Sequence, residues 1–209
     1  MIGEANVELN RMSNKQIQPQ ARADGYSLLE LMIAMTLTLT MMAAASTLLA
    51  TSLRMRTREN LRSAALASAQ RTLNIMSREI GNAGYGLTNN GIVVGDSATD
   101  SIRVRANLNN DASLSQIDED IRFVFQSANN AIVRFDNSDG NPVVLASNIT
   151  ALTLTYLDPS GGAATPANAE RIRINVSVNL PAGPEQPASV LGLISEVALR
   201  NAPNTLEQF

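Results

Sequence analysis

Glu30 stands almost alone as a charge within a long apolar stretch. It follows Gly25-Tyr26-Ser27-Leu28-Leu29, and no charged residue occurs from Leu31 to Leu53. A carboxylate just inside such a segment costs about 3 kcal/mol in a bilayer unless it meets a cation or hydrogen-bond donors. Part of that need can be met locally. Ser27-x-x-Glu30 has the spacing of a capping box, in which Ser accepts from the first helical turn and Glu returns a bond. Capping accounts for Ser27 and Glu30 but not for the Gly25-Tyr26 pair before them or the apolar run behind them. It is also compatible with a second role for Glu30.

Elsewhere the side chains exclude more chemistry than they suggest. The chain has no Cys and no His, which removes thiol nucleophiles, imidazole bases and Cys/His metal sites. The sole Lys is Lys15, in a polar segment with no apolar periodicity, so a Ser-Lys pair has no setting. Asp118-Glu119-Asp120 and Asp136 to Asp139 are acidic enough to raise calcium, but the second lacks the alternating Asp/Asn spacing and distal Glu of a calcium loop. Both are expected to be solvated turns. Gly81, Gly84 and Gly86 form no G-x-G-x-x-G pattern and follow a helix rather than a strand. Sixteen basic against nineteen acidic residues, a net charge of -3, argue against nucleic acid as a partner. With 3% aromatic residues and no Trp, a stacking surface is not expected either. The expectation is a non-enzymatic chain with no catalytic residue, no metal and no cofactor.

Four segments must position these groups. Residues 1–25 are polar and read as a leader, with Met12 an alternative start. Residues 26–53 form the apolar run; Leu31 to Leu53 spans about 35 Å as a helix, enough to cross a bilayer core. Residues 54–81 continue the helix, because Leu66, Ala69, Leu73, Met76 and Ile80 are spaced 3, 4, 3, 4 along one face. Arg54, Arg58 and Arg62 make a basic stripe at its start. Gly81-Asn-Ala-Gly-Tyr-Gly86 ends it. A helix from Ser27 to Ile80 is roughly 80 Å long, too long to pack within a globule of this size. Residues 82–209 read as a β-rich head. Ile172, Ile174, Val176, Val178 and Leu180 alternate with polar residues, a half-buried strand. Further strands are expected at 102–106, 121–125, 131–135, 143–145, 151–157 and 193–199. Asn129-Asn130 and Asn137 to Gly140 supply turns. The fold class is α+β: a long N-terminal helix, membrane-spanning then amphipathic, packed on an antiparallel β-sheet head.

Gly25-Tyr-Ser-Leu-Leu-Glu-Leu-Met-Ile-Ala34 resembles the signature of the type IV prepilin family. The resemblance implies peptidase cleavage between Gly25 and Tyr26, N-methylation of Tyr26, and a filament-assembly role for Glu30, paired with the Tyr26 amine of a neighbouring subunit. It implies as partners the prepilin peptidase, other pilins or pseudopilins through helix bundling, an inner-membrane assembly platform, and membrane lipid before assembly. Ser77 to Gly86 and the terminal Leu199-Arg-Asn201 are similar to PilW-type minor pilins and J-type pseudopilins of type II secretion. Thr47 stands where major pilins often carry Pro, and the loop disulfide common in them is impossible without Cys. The implied function is a minor pilin, with a type II secretion pseudopilin as the alternative and a single-span membrane-anchored binding protein as the second. Its implied place is the inner membrane with a periplasmic head, then a pilus or a periplasmic pseudopilus. Charge does not supply that orientation: three basic residues precede the span and four Arg follow it closely. That cluster can be read as facing headgroups, as meeting acidic heads, or as a solvated helix face.

Overall fold

A computed structural model describes residues 25–111, 113–180, 182 and 187–201. The chain separates into two compact units, Met1–Ala50 and Thr51–Phe209. The described part of the first is the start of helix α1 (Leu28–Gly81), exposed along its whole length up to Ala50. Its hydroxyls are satisfied within the helix: Thr36, Thr38 and Thr40 donate to the carbonyls of Ile33, Met35 and Leu37 at 2.8–2.9 Å. Ser46 and Thr47 do the same to Met42 and Ala44. The expected helix therefore forms within a residue of its predicted ends, and its first half has the length and apolarity to cross a membrane.

In the second unit the same helix turns amphipathic. Ala65, Ala69, Thr72, Leu73, Met76 and Ile80 are buried, and Leu66 packs against the core they begin. Seven strands follow: β1 (Ser101–Arg105), β2 (Asp120–Gln126), β3 (Ala131–Asp136), β4 (Pro142–Ala146), β5 (Ile149–Leu157), β6 (Arg171–Leu180) and β7 (Ser189–Ala198). Each matches one of the seven expected from alternation and turn residues. Every pairing is antiparallel. The head is divided, however, into a four-stranded sheet β1-β2-β3-β4 and a three-stranded sheet β5-β6-β7. A period-two pattern reports which residues point inward, not which strands share a sheet. The helix face and the inner faces of both sheets meet in one core, with Phe123, Met76, Ile102, Ile132, Leu154, Ile172 and Ile174 among its largest members.

The turns follow from backbone geometry. Asn130, at φ 48°, closes the β2–β3 hairpin, and Gly140, at φ 68°, closes β3–β4. Asn tolerates the left-handed region better than other side chains, and glycine has no Cβ to clash there.

Candidate functional site: the N-terminal signature and the helix end

The chain enters α1 through Gly25, Tyr26 and Ser27, which are extended and exposed; Tyr26 is 85% accessible. The Leu31 amide donates to the Ser27 carbonyl at 3.1 Å, making Ser27 the capping residue. Glu30 lies in the first turn, where a carboxylate complements the helix dipole. Yet the reciprocal capping-box bonds do not form: among the described residues, neither the Ser27 hydroxyl nor the Glu30 carboxylate has a hydrogen-bonding partner. Glu30 is thus a carboxylate on an apolar, uncovered helix with nothing from its own described chain to neutralise it. Gly25, Tyr26 and Glu30 are brought together by their nearness in sequence alone.

The other end of α1 is tightly specified. After Gly81 the chain turns through Asn82 to Tyr85, and Gly84 adopts φ +79°. A Cβ there would lie 2.5 Å from the Asn89 carbonyl oxygen and 2.7 Å from Asn201 Cβ, so only glycine fits. The Gly84 amide donates to Arg105 at 2.8 Å, joining the helix end to β1. Asn201 closes the same loop from the C-terminal side: its Nδ2 donates to the Leu87 and Asn89 carbonyls at 2.6 and 2.7 Å. Two stretches singled out in the sequence, Ser77 to Gly86 and Leu199 to Asn201, are therefore one structural joint. Asn90, not anticipated, holds it from another side by donating to the carbonyls of Pro166, Ala167 and Ala169. An Asn pair in a glycine-rich loop was the only signal for it.

Glu79, near the helix end, meets Arg134 of β3 at 2.9 Å. Their side chains are 14% and 13% exposed. Arg134 also pairs with Asp118 and lies 3.7 Å from Asp136. Burial pushes the Glu79 carboxyl above its ordinary range, against the Arg134 guanidinium, which pulls it down. No spacing in the sequence could have joined residues 79 and 134.

The acidic turns correct the expectation of solvated loops. Glu119, Asp120 and Asp136 are buried. Glu119 accepts from the Leu108, Asn109 and Gln116 amides. Asp120 takes a two-pronged bond from Arg103 at 2.7 and 2.8 Å and another from Arg105 at 3.0 Å. Burial works to raise the Asp120 carboxyl, but the two guanidiniums outweigh it and hold it below the usual range. Asp136 accepts from the Asp118 amide and from Ser138; burial works to raise it, and those bonds hold it low. Only Asp118 and Asp139 remain exposed. These carboxylates are buried because arginines and turn amides saturate them, and no group of three or more His, Cys, Asp or Glu among the described residues is arranged to hold a metal.

Residues 21–46 match the family model described as the prokaryotic N-terminal methylation motif. No curated protein matches the chain. The matched segment contains Gly25, Tyr26 and Glu30 and the start of α1, and with the apolar helix it makes the chain type IV prepilin-like, of the pilin and pseudopilin kind, fitting a single-pass membrane-anchored protein. The motif implies, in general terms, partnership with other pilins and with a prepilin peptidase.

Proposed function

We propose that this type IV prepilin-like chain is a minor pilin: a non-enzymatic structural subunit that primes or joins pilus assembly. The leader is removed after Gly25, Tyr26 becomes the N-methylated first residue, and Glu30 pairs with the Tyr26 amine of a neighbour as the helices bundle. Before assembly the chain sits in the inner membrane with its head in the periplasm, in contact with lipid and with the assembly platform.

The observation that carries this reading is the unpartnered Glu30 on a helix that is exposed from Leu28 to Ala50. In lipid or in a helix bundle that carboxylate needs a cation, and the freed amine four residues upstream is the nearest chemistry the signature can generate. A subunit cannot satisfy itself, since one helical turn separates the two groups along a rigid axis; a staggered neighbour can. The lack of Cys, which forbids the disulfide-closed loop frequent in major pilins, favours a minor subunit.

Mass spectrometry of the mature N-terminus, from cells with and without the prepilin peptidase, tests the first step. A chain starting at N-methyl-Tyr26 only when the peptidase is present supports it; an intact leader in both strains refutes it. Deletion then separates the machines: loss of pili fits the minor pilin, and loss of protein secretion with intact pili fits the pseudopilin.

A further inference from the structure

Two sheets have four edges, and three of them are closed among the described residues. The outer side of β1 is taken by the 91–93 segment: Val93 donates to Arg103 and Arg105 to Gly91, with Ile92 bridged to Val104. β5 is covered by Thr99, which accepts from Leu154, and by Ala164, which donates to Tyr156. β4 is short, opens on Pro142, and has its Leu145 carbonyl engaged by the Ser68 hydroxyl. Short length, proline and cover are the usual ways of blunting an edge.

β7 has none of these. It runs ten residues, Ser189 to Ala198, without proline and with Glu196 as its only charge. The Leu199 amide donates to Glu170, so odd-numbered residues direct their backbone groups into the β6 ladder. In an antiparallel strand the alternate residues direct theirs the other way. Val190, Gly192, Ile194, Glu196 and Ala198 therefore present N–H and C=O groups along the free edge. Val190 and Ile194 are 61% and 66% exposed. Beside that edge runs a groove of about 300 Å³ between β7 and the helix, lined by Gln70, Leu73, Asn74, Leu193, Ile194 and Ser195.

We propose that the free edge of β7 and this groove form a docking site for an extended, acidic segment of a different pilin-type subunit, which adds a strand to the β5-β6-β7 sheet. The proposal rests on the minor-pilin reading and gives it a contact surface in the head. Strand direction excludes a second copy's β7. Leu73 meets Leu193 in the groove, Ser77 shares a hydrogen bond with Ser195 at 2.9 Å, and Gly81 lies against Val197. Both series ascend together, so β7 runs in the sense of the helix. Subunits inserted in one membrane in one orientation present their β7 strands parallel, whereas the edge needs an opposed strand to continue the antiparallel ladder. Charge selects the occupant further. Arg71 and Arg78, three residues before and four after Asn74 on the helix flank, are exposed and have no ion-pair partner among the described residues. Glu196 is already held by Arg171 and Arg173. The site is electropositive, and acidic side chains on the incoming strand answer it.

Amide hydrogen exchange at single-residue resolution tests this on the full chain. In micelles the Val190, Gly192, Ile194 and Glu196 amides exchange fast, while Leu191, Leu193, Ser195 and Val197 are protected by β6. In sheared filaments the first set slows by about 100-fold or more if a strand is added, and Arg71→Glu with Arg78→Glu abolishes the slowing. Equal exchange in micelles and filaments overturns the proposal. Protection already present in micelles also overturns it, with concentration dependence identifying a second copy and its absence identifying the chain's own cover. Absence of the chain from the filament fraction counts against the minor-pilin reading instead. The amides are then compared in membranes from cells with and without the other pilin-type subunits, where no difference overturns the docking edge.

Discussion

Arg134→Met removes the cation between Glu79 and Asp118 while keeping most of the apolar stem. The side chains of Glu79 and Arg134 are 14% and 13% exposed, close to the buried limit. Breaking a fully buried pair costs about 3–5 kcal/mol and an exposed one about 1 or less. A cleft of about 170 Å³ beside Glu79 admits water, which places the expected loss at about 2–3 kcal/mol. The sign with pH is more telling than the size. Glu79 already holds its proton more tightly folded than unfolded, so its contribution to stability falls as pH rises from its ordinary 4.5 to the raised value. Arg134 is what limits that rise, and without it the folded carboxyl titrates higher still. The deficit of the variant is therefore largest near neutrality and shrinks as the solution is acidified to about pH 5. Asp136 does not interfere there, because its lowered carboxyl loses its contribution only below its ordinary 3.8. Urea unfolding of the full chain in micelles, followed by the β-sheet circular dichroism signal, reads this as a midpoint lowered by about 1–2 M. A deficit that is flat from neutral pH to about pH 5 would refute a buried, paired Glu79.

Three further outcomes are expected. Gly84→Ala forces a Cβ to 2.5 Å from the Asn89 carbonyl at positive φ, costing about 2–4 kcal/mol in the same unfolding assay. Asn201→Ala deletes two bonds to the Leu87 and Asn89 carbonyls and costs about 1–2 kcal/mol, with faster amide exchange confined to the 84–91 loop. Glu30→Ala leaves peptidase cleavage intact, seen as a mature-sized band, and lowers the chain's share of the sheared filament fraction; unchanged incorporation would remove Glu30 from the assembly site.

The helix was legible because it obeys a local rule over many residues: no charge from Leu31 to Leu53, then a 3, 4, 3, 4 face ending at glycines. The strands were legible for the same reason, since alternation at 172–180 depends only on which side is buried. The split into two sheets was not, because it depends on Asn148 and Thr99 meeting strands distant in sequence. The acidic turns were misjudged for a related cause. Asp120 looks like a surface residue until Arg103 and Arg105 fold across it. At the N-terminal signature the sequence supplied the residues, while the structure added that Glu30 lacks the capping bond its spacing suggested.

The hydroxyls of α1 have a consequence for the transfer of this helix between environments. Thr36, Thr38, Thr40, Ser46 and Thr47 each hide their proton on a carbonyl one turn back. A hydroxyl so occupied offers lipid little to reject and offers an adjacent helix little to grip. The surface behaves as a hydrocarbon despite its threonines. Moving it from acyl chains into a bundle of similar helices is then nearly an exchange between two equivalent solvents, and Glu30 remains the one group for which the two solvents differ.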